Sequence, residues 1–276
     1  AEGVRKRYRT APGLPCEFSL DSRGEVTVIG PLAPATSIAR NIICRSAVLH
    51  SPEDVELALV VPEGSREEWE WASGLPHLAE QGRPTPLGPV KRIYTSCEDL
   101  VQDLRGNLVR RARAVAEAKK NNRQVDVSTL LPSLVVIDLS GDEAVTMLES
   151  PDSTLTVPQL GVTAVRFLDN RLNEPDEVAA RFTLSVPDAL EEGEGFEVLY
   201  EELDRDDDGE SFVFSGEWVT TDQAETVARV VTPLRLSPDS LEHNEAANSV
   251  RYTEMLGLAD LDKAEIERKW RPRSEP

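Results

Sequence analysis

An α/β fold is predicted, with a mostly parallel sheet flanked by helices and an antiparallel hairpin added late in the chain. Three observations predict it. Over the first 170 residues short apolar runs of strand length alternate with helical patterns, which calls for parallel strands joined by right-handed crossovers. The runs at 55–61 and 134–137 are apolar on successive residues, as strands buried on both faces are. After residue 195 the style changes, and two β-type segments flank Asp208-Gly209, a strong hairpin-turn pair. With 276 residues, of which 39% are hydrophobic, the chain can bury a substantial core.

In order, "GEVTVIG" (24–30) alternates and is rich in β-branched residues, so it reads as the first strand. "TSIARNIICRSAVLH" (36–50) places Ile38, Ile42, Ile43 and Val48 near helical spacing. The run Val55 to Val61 closes a βαβ unit. "WEWASGLPHL" (69–78) is turn-like, and "VKRIYTS" (90–96) reads as a third short strand. Ser96 is placed to cap a helix over 97–120, with Asp99 completing a capping-box variant and Leu100, Leu104, Leu108 and Val115 on one face. "LPSLVVIDLSGDE" (131–143) is the clearest strand, "GVTAVRFLD" (161–169) is another, and the end of "DEVAARFTLSV" reads as an edge strand. "GFEVLYEEL" and "SFVFSGEWV" form the hairpin. "TDQAETVARVVTPLRL" is a capped helix stopped near Pro233, and "DKAEIERKWRPRSEP" is a short charged helix running into a tail.

A formal charge of −20 argues against a nucleic-acid partner, because the long-range field repels phosphate backbones. No uncharged apolar run approaches the roughly 18–20 residues of a spanning helix, and the opening "AEGVRKRYRTAPGLP" lacks the apolar region of a signal peptide, so the chain as it stands reads as soluble. Cys16, Cys44 and Cys97 are odd in number and widely spaced, which suggests neither a disulfide framework nor a zinc site and fits a reducing compartment. His50, His77 and His243 have no triad or metal spacing.

The strand–turn–helix at 26–43 has the local layout of a phosphate-binding loop. Where Gly-x-x-x-x-Gly-Lys-Ser/Thr would be read, the chain has Gly30-Pro-Leu-Ala-Pro-Ala35-Thr36-Ser37. Ala35 and Thr36 thus stand where the second glycine and the lysine belong, and only Gly30 and the hydroxyl of Ser37 survive. Losing one charged partner of a phosphate costs about 1.5–3 kcal/mol, so tight ATP binding is not expected, while a helix N-terminus still offers N–H groups to an anion. Asp138 ends the strand "LVVID" in the manner of a Walker B aspartate, which would share a magnesium ion with Ser37. The order and separation of the two elements favour a RecA-like, P-loop-type scaffold. Hydrolysis needs a water-positioning group as well, and the candidate acids Asp142 and Glu143 lie four and five residues beyond Asp138.

"DRDDDGESFVFS" (204–215) opens like a calcium loop, with Asp204, Asp206 and Asp208 at positions one, three and five and Gly209 at six. Position twelve is Ser215 rather than a bidentate glutamate, so an acidic turn is the simpler reading. Arg105, Arg110, Arg111, Arg113, Lys119 and Lys120 give the helix 97–120 a cationic surface, suited to solvent, to an acidic partner subunit or to lipid headgroups.

Several of these elements together resemble one family. "VIGPLAPATSIARNIICRSAVLHSPEDVELALVVP" is similar to the segment of the EccC proteins, FtsK/SpoIIIE-type membrane ATPases of the actinobacterial type VII secretion system, that precedes the first motor domain. "WEWASGLPH" resembles that family's W-x-W-x-x-W-L-P-H signature through Trp69, Trp71, Leu75, Pro76 and His77, with Gly74 departing from it. "VVIDLSGD", "LGVTAV", "ARVVTPLRL" and the closing "MLGLADLDKAEIERKWRPR" match in order, the last with Trp270, Arg271, Pro272 and Arg273.

The resemblance implies a single ATPase-like domain over 1–276, long called a domain of unknown function, with 1–23 on the stalk side and 262–276 leading to the next motor. It implies membrane helices before the domain, P-loop motors after it, and a place on the cytoplasmic face of the bacterial inner membrane. Other secretion subunits, the adjoining motors and further copies in a hexameric assembly are the implied partners. Three functions are expected from these readings: a coupling module with a degenerate nucleotide site and at most weak Mg-ATP binding, a working Mg-ATPase using Ser37 and Asp138, or a calcium-dependent interaction domain.

Overall fold

The computed structural model describes residues 14–85, 88–121, 126–141, 148–186, 195–203 and 210–234. Its main sheet has eight strands: β1 (Gly24–Ile29), β2 (Val55–Val60), β5 (Ile93–Tyr94), β6 (Ser133–Asp138), β7 (Val162–Leu168), β8 (Ala180–Ser185), β9 (Phe196–Glu202) and β10 (Ser211–Gly216). Their order is β10-β9-β8-β1-β7-β6-β2-β5, and β3 (Ala79–Thr85) with β4 (Gly88–Lys91) makes a separate antiparallel pair. The six strands from β8 to β5 run parallel, and β9 and β10 join antiparallel. The expected mostly parallel sheet with an antiparallel addition is therefore present.

Strand alternation sends the two sets of side chains to opposite layers. On one face Val26, Val28, Leu57, Leu59, Val135, Ile137, Val165 and Phe167 pack against α1 (Leu32–Leu49), α3 (Thr221–Val231) and a 3-10 helix (Glu63–Gly74). On the other, Ala58, Val60, Leu134, Val136, Val162 and Ala164 meet α2 (Cys97–Asn121). The apolar stripe of α2, Leu100, Leu104, Leu108, Ala112 and Val115, is buried as its spacing predicts. Each fully buried leucine there contributes about 1.5–3 kcal/mol. Ser96 caps this helix, its Oγ accepting from the Asp99 N–H at 3.1 Å, and Thr220 with Gln223 forms a complete capping box on α3.

Four local features differ from the sequence reading. Helix α1 begins at Leu32 rather than near Thr36, because Pro31 takes the cap position and Pro34 lies in the first turn, where a missing N–H costs nothing. The segment 69–78 is not a turn but belongs to two 3-10 helices, Glu63–Gly74 and Pro76–Leu78. The strand expected over 90–96 breaks at Arg92, a residue only 1% exposed, between β4 and β5. Strand β8 is not an edge: it pairs with β1 on one side and β9 on the other. The hairpin has extended the sheet past it.

Candidate functional site

The β1–α1 junction is tight. The Gly30 N–H donates to the Leu168 carbonyl at 3.1 Å, and φ is 151°. A Cβ at Gly30 would stand 2.7 Å from Leu184 Cβ and 2.8 Å from its carbonyl oxygen, so close approach of β8 requires glycine here. Beyond Gly30 only Pro31 precedes the helix, and no loop remains to wrap a phosphate. Pro34 has no N–H, and that of Ala35 is taken by the Pro31 carbonyl at 3.2 Å, which leaves Leu32 and Ala33 as the first-turn donors. Ala35 is buried, and Thr36 Oγ1 donates back to the Ala33 carbonyl at 3.0 Å.

Ser37 is 1% exposed. Its Oγ donates to the Glu217 carbonyl at 3.0 Å and accepts from the Val219 N–H at 2.7 Å. The hydroxyl thus ties α1 to the segment between β10 and α3. Ser37→Ala removes the partner of that half-buried N–H, at an expected cost of about 1 kcal/mol. Chemical denaturation of the variant checks it.

Asp138 ends β6 and is also buried. Its Oδ1 accepts from the Ser140 N–H at 3.0 Å and the Ser140 hydroxyl at 2.6 Å. Its Oδ2 accepts from Arg166 Nη1 at 2.8 Å and the Cys97 thiol at 3.2 Å. Burial first, and then the Asp138 charge, push the Cys97 thiol up to about 11, which keeps it a neutral donor.

Arg166 comes from β7, in register with Thr27 of β1 on one side and Asp138 of β6 on the other. Two residues from Thr27, on the same face, Glu25 receives Nε at 2.7 Å and Nη2 at 3.3 Å. Burial opposes the guanidinium charge, but the paired bonds to Glu25 and the Asp138 field outweigh it and raise the pKa. One cation therefore bridges carboxylates on the strands either side of its own.

The same face carries two further buried clusters. Arg181 on β8 grips Glu174 with two bonds of 2.7 Å and reaches Glu201 at 3.1 Å, while Thr27 donates to Glu174 at 2.5 Å. Glu56 on β2 sits between Arg111 at 3.0 Å and Arg92 at 3.2 Å. Arg111 also bonds Asn107 and the Pro132 and Leu160 carbonyls. This corrects the expected cationic surface of α2: Arg105, Arg110, Arg113, Lys119 and Lys120 are exposed, but Arg111 is a buried anchor. Sequence reasoning did not single out Glu25, Glu56, Arg92, Arg166, Glu174 or Arg181. The available signal was a single charge inside each of "VELALV" and "VTAVRFL", with opposite signs on strands expected to be buried.

The tryptophan segment is structural in its packing. Trp69 is 1% exposed, with Arg40 Cζ 5.5 Å from its ring centroid and Trp71 at 6.0 Å. At Gly74 a Cβ would stand 2.6 Å from Thr232 Oγ1, so the C-cap residue of α3 fills the space where the resemblance called for a third tryptophan. His77 Nε2 lies 3.0 Å from the His50 carbonyl; only an N–H can bond a carbonyl, which fixes the tautomer and leaves the buried Nδ1 without a partner. Burial lowers the His77 pKa. The unfolded chain then binds a proton that the folded chain refuses, so stability falls as pH drops below about 6.5, by up to about 1.4 kcal/mol per unit, until the folded pKa is reached. Melting curves between pH 7.5 and pH 5 should lose less in His77→Gln than in the parent chain.

Asp142, Glu143, Asp204, Asp206, Asp208, Gly209, His243, Trp270, Arg271, Pro272, Arg273 and the segments 1–13 and 262–276 lie outside the described residues.

No family model matches the chain. Curated relatives do. EccC3 of the ESX-3 secretion system of Mycobacterium tuberculosis is 22% identical over 271 residues, 96% of this chain and 18% of that protein. The ESX secretion protein EccC of Thermomonospora curvata is 24% identical over 281 residues, 97% of this chain and 19% of that protein. The chain is homologous to the EccC secretion proteins.

ESX-4 EccC4 of M. tuberculosis adds a shorter match, 27% identical over 116 residues, 42% of this chain and 9% of that protein. The chain thus spans about a fifth of the length of the EccC proteins it matches from end to end. Among solved structures, the cytoplasmic domain of the T. curvata type VII secretion ATPase EccC aligns with a TM-score of 0.48 at 14% identity, over 79% of this chain and 29% of that one. ATPases 2 and 3 of T. curvata EccC, in complex with a signal sequence peptide, align at 0.47 and 13%, over 79% and 45%.

Proposed function

We propose that the chain is an ATPase-like domain of a type VII secretion motor that works mechanically, with a nucleotide site closed by its own side chains. One observation carries this reading: the carboxylate and hydroxyl that would hold magnesium, Asp138 and Ser37, are both bonded to protein, and Arg166 already neutralises Asp138. The early start of α1 removes the phosphate loop as well. A bound nucleotide would have to displace a buried arginine from two carboxylates, which costs several kcal/mol. The residues do not fit Mg-ATP.

On this reading the parent protein is membrane-anchored, and this domain sits at the cytoplasmic face of the bacterial inner membrane beside the adjoining motors and other copies of itself. The rigid eight-stranded sheet passes motion between pore and motors during export. A full-length parent carrying Glu25→Gln, Asp138→Asn and Arg166→Met together tests it in a secretion assay. Export should persist, because the cluster is neutralised as a unit. Export abolished with the domain still folded would show that the Asp138 carboxylate does chemistry.

A further inference from the structure

We propose that the outer edge of β10 is a docking site for an extended, basic segment of a partner protein, which adds a ninth strand to the sheet. Strand β10 ends the strand order, and among the described residues no strand pairs with its outer side. The ladder phase says which groups face out. The Glu202 N–H donates to the Glu210 carbonyl, and β10 pairs with β9 with Phe212 opposite Tyr200 and Phe214 opposite Val198. In an antiparallel ladder bonded residues alternate, so Phe212, Phe214 and Gly216 turn their backbone groups to β9, and Ser211, Val213 and Ser215 turn theirs outward.

Exposed edges usually carry a lysine, a proline, a bulge or very few residues, which discourage further pairing. Strand β10 has none of these over its six residues, and its register with β9 is unbroken. Its side chains remain partly uncovered, with Phe212 39% and Val213 53% exposed. Phe212 and Phe214 join Phe18 and Tyr200 in one aromatic patch, with centroids 5.2–6.2 Å apart on the contacts involving β10. An added strand would lay alternate side chains along that patch.

Charge selects the occupant. The described residues of β9, β10 and their flanks, 195–203 and 210–220, hold five glutamates and no lysine or arginine; Arg181 and Arg23 pair with Glu201 and Glu202, and Glu197, Glu210 and Glu217 set the charge along the edge. A second copy paired about Val213 would bring its Glu210 opposite Gly216 and beside Glu217, like charges in a chain already at −20. A segment alternating apolar and basic residues meets both requirements. Its main-chain bonds supply affinity, and its side chains supply selectivity.

The probe is a blocked nine-residue peptide of alternating lysine and valine, titrated into the 276-residue chain, with hydrogen exchange as the readout. Binding should weaken with salt and should protect the amides of Ser211, Val213 and Ser215. Val213→Pro removes an outward N–H that makes no ladder bond, so the melting temperature should hold while affinity falls by about tenfold or more. Val213→Lys keeps every N–H and should weaken the peptide through charge. Equal affinity for parent and both variants, or protection elsewhere on the chain, would overturn the proposal. So would a peptide-independent dimer abolished by Val213→Pro, which would make a second copy the occupant.

Discussion

Arg166→Ala will lower stability by about 3–5 kcal/mol, since it leaves two buried carboxylates facing each other without a cation. The Arg166 side chain is 4% exposed and those of Glu25 and Asp138 are 10% and 8%, so water does little to screen the loss. For a domain of this size such a loss lowers the melting temperature by roughly 10 °C. The triple variant Glu25→Gln, Asp138→Asn, Arg166→Met should recover most of it, because removing a buried ionic group as a unit is often neutral. Urea denaturation of the parent, single and triple variants measures the difference. A single variant as stable as the parent would mean that the bridge is not the source of order here.

Trp69→Ala is the second large effect, at about 3–5 kcal/mol. The indole is 1% exposed within the core that joins α1, α3 and the sheet, and it carries Arg40 on its face. Its removal opens a cavity and strips the Arg40 guanidinium of a partner. Trp69→Phe keeps much of the volume and should cost less than half as much, a comparison that separates packing from a general intolerance of change at this position.

The fold was readable from the sequence where the pattern is local. The α2 stripe from Leu100 to Val115, its Ser96 cap, the apolar strand ending on Asp138 and the antiparallel pairing of β9 with β10 are all set by residues close to one another in the chain. Misreadings came where topology decides. Nothing local in "ARFTLS" tells an edge from an interior strand, because its neighbours are supplied by β1 and by a hairpin that comes later. Arg111 looks like one more surface cation until Glu56, 55 residues away, is placed opposite it.

The candidate site was half legible for the same reason. Gly30, Ser37 and Asp138 stand out by spacing alone. That Ser37 bonds a segment 180 residues on, and that Asp138 meets Arg166 from the neighbouring strand, depends on strand order and register. The early helix start was the one site feature within local reach, since Pro31 and Pro34 together favour a first turn at Leu32.

Calorimetric titration of the chain with ATP in the presence of magnesium separates a closed nucleotide site from a working one. The closed cluster predicts no saturable heat up to millimolar nucleotide. Binding in the low micromolar range that requires magnesium and disappears in Asp138→Asn would contradict it.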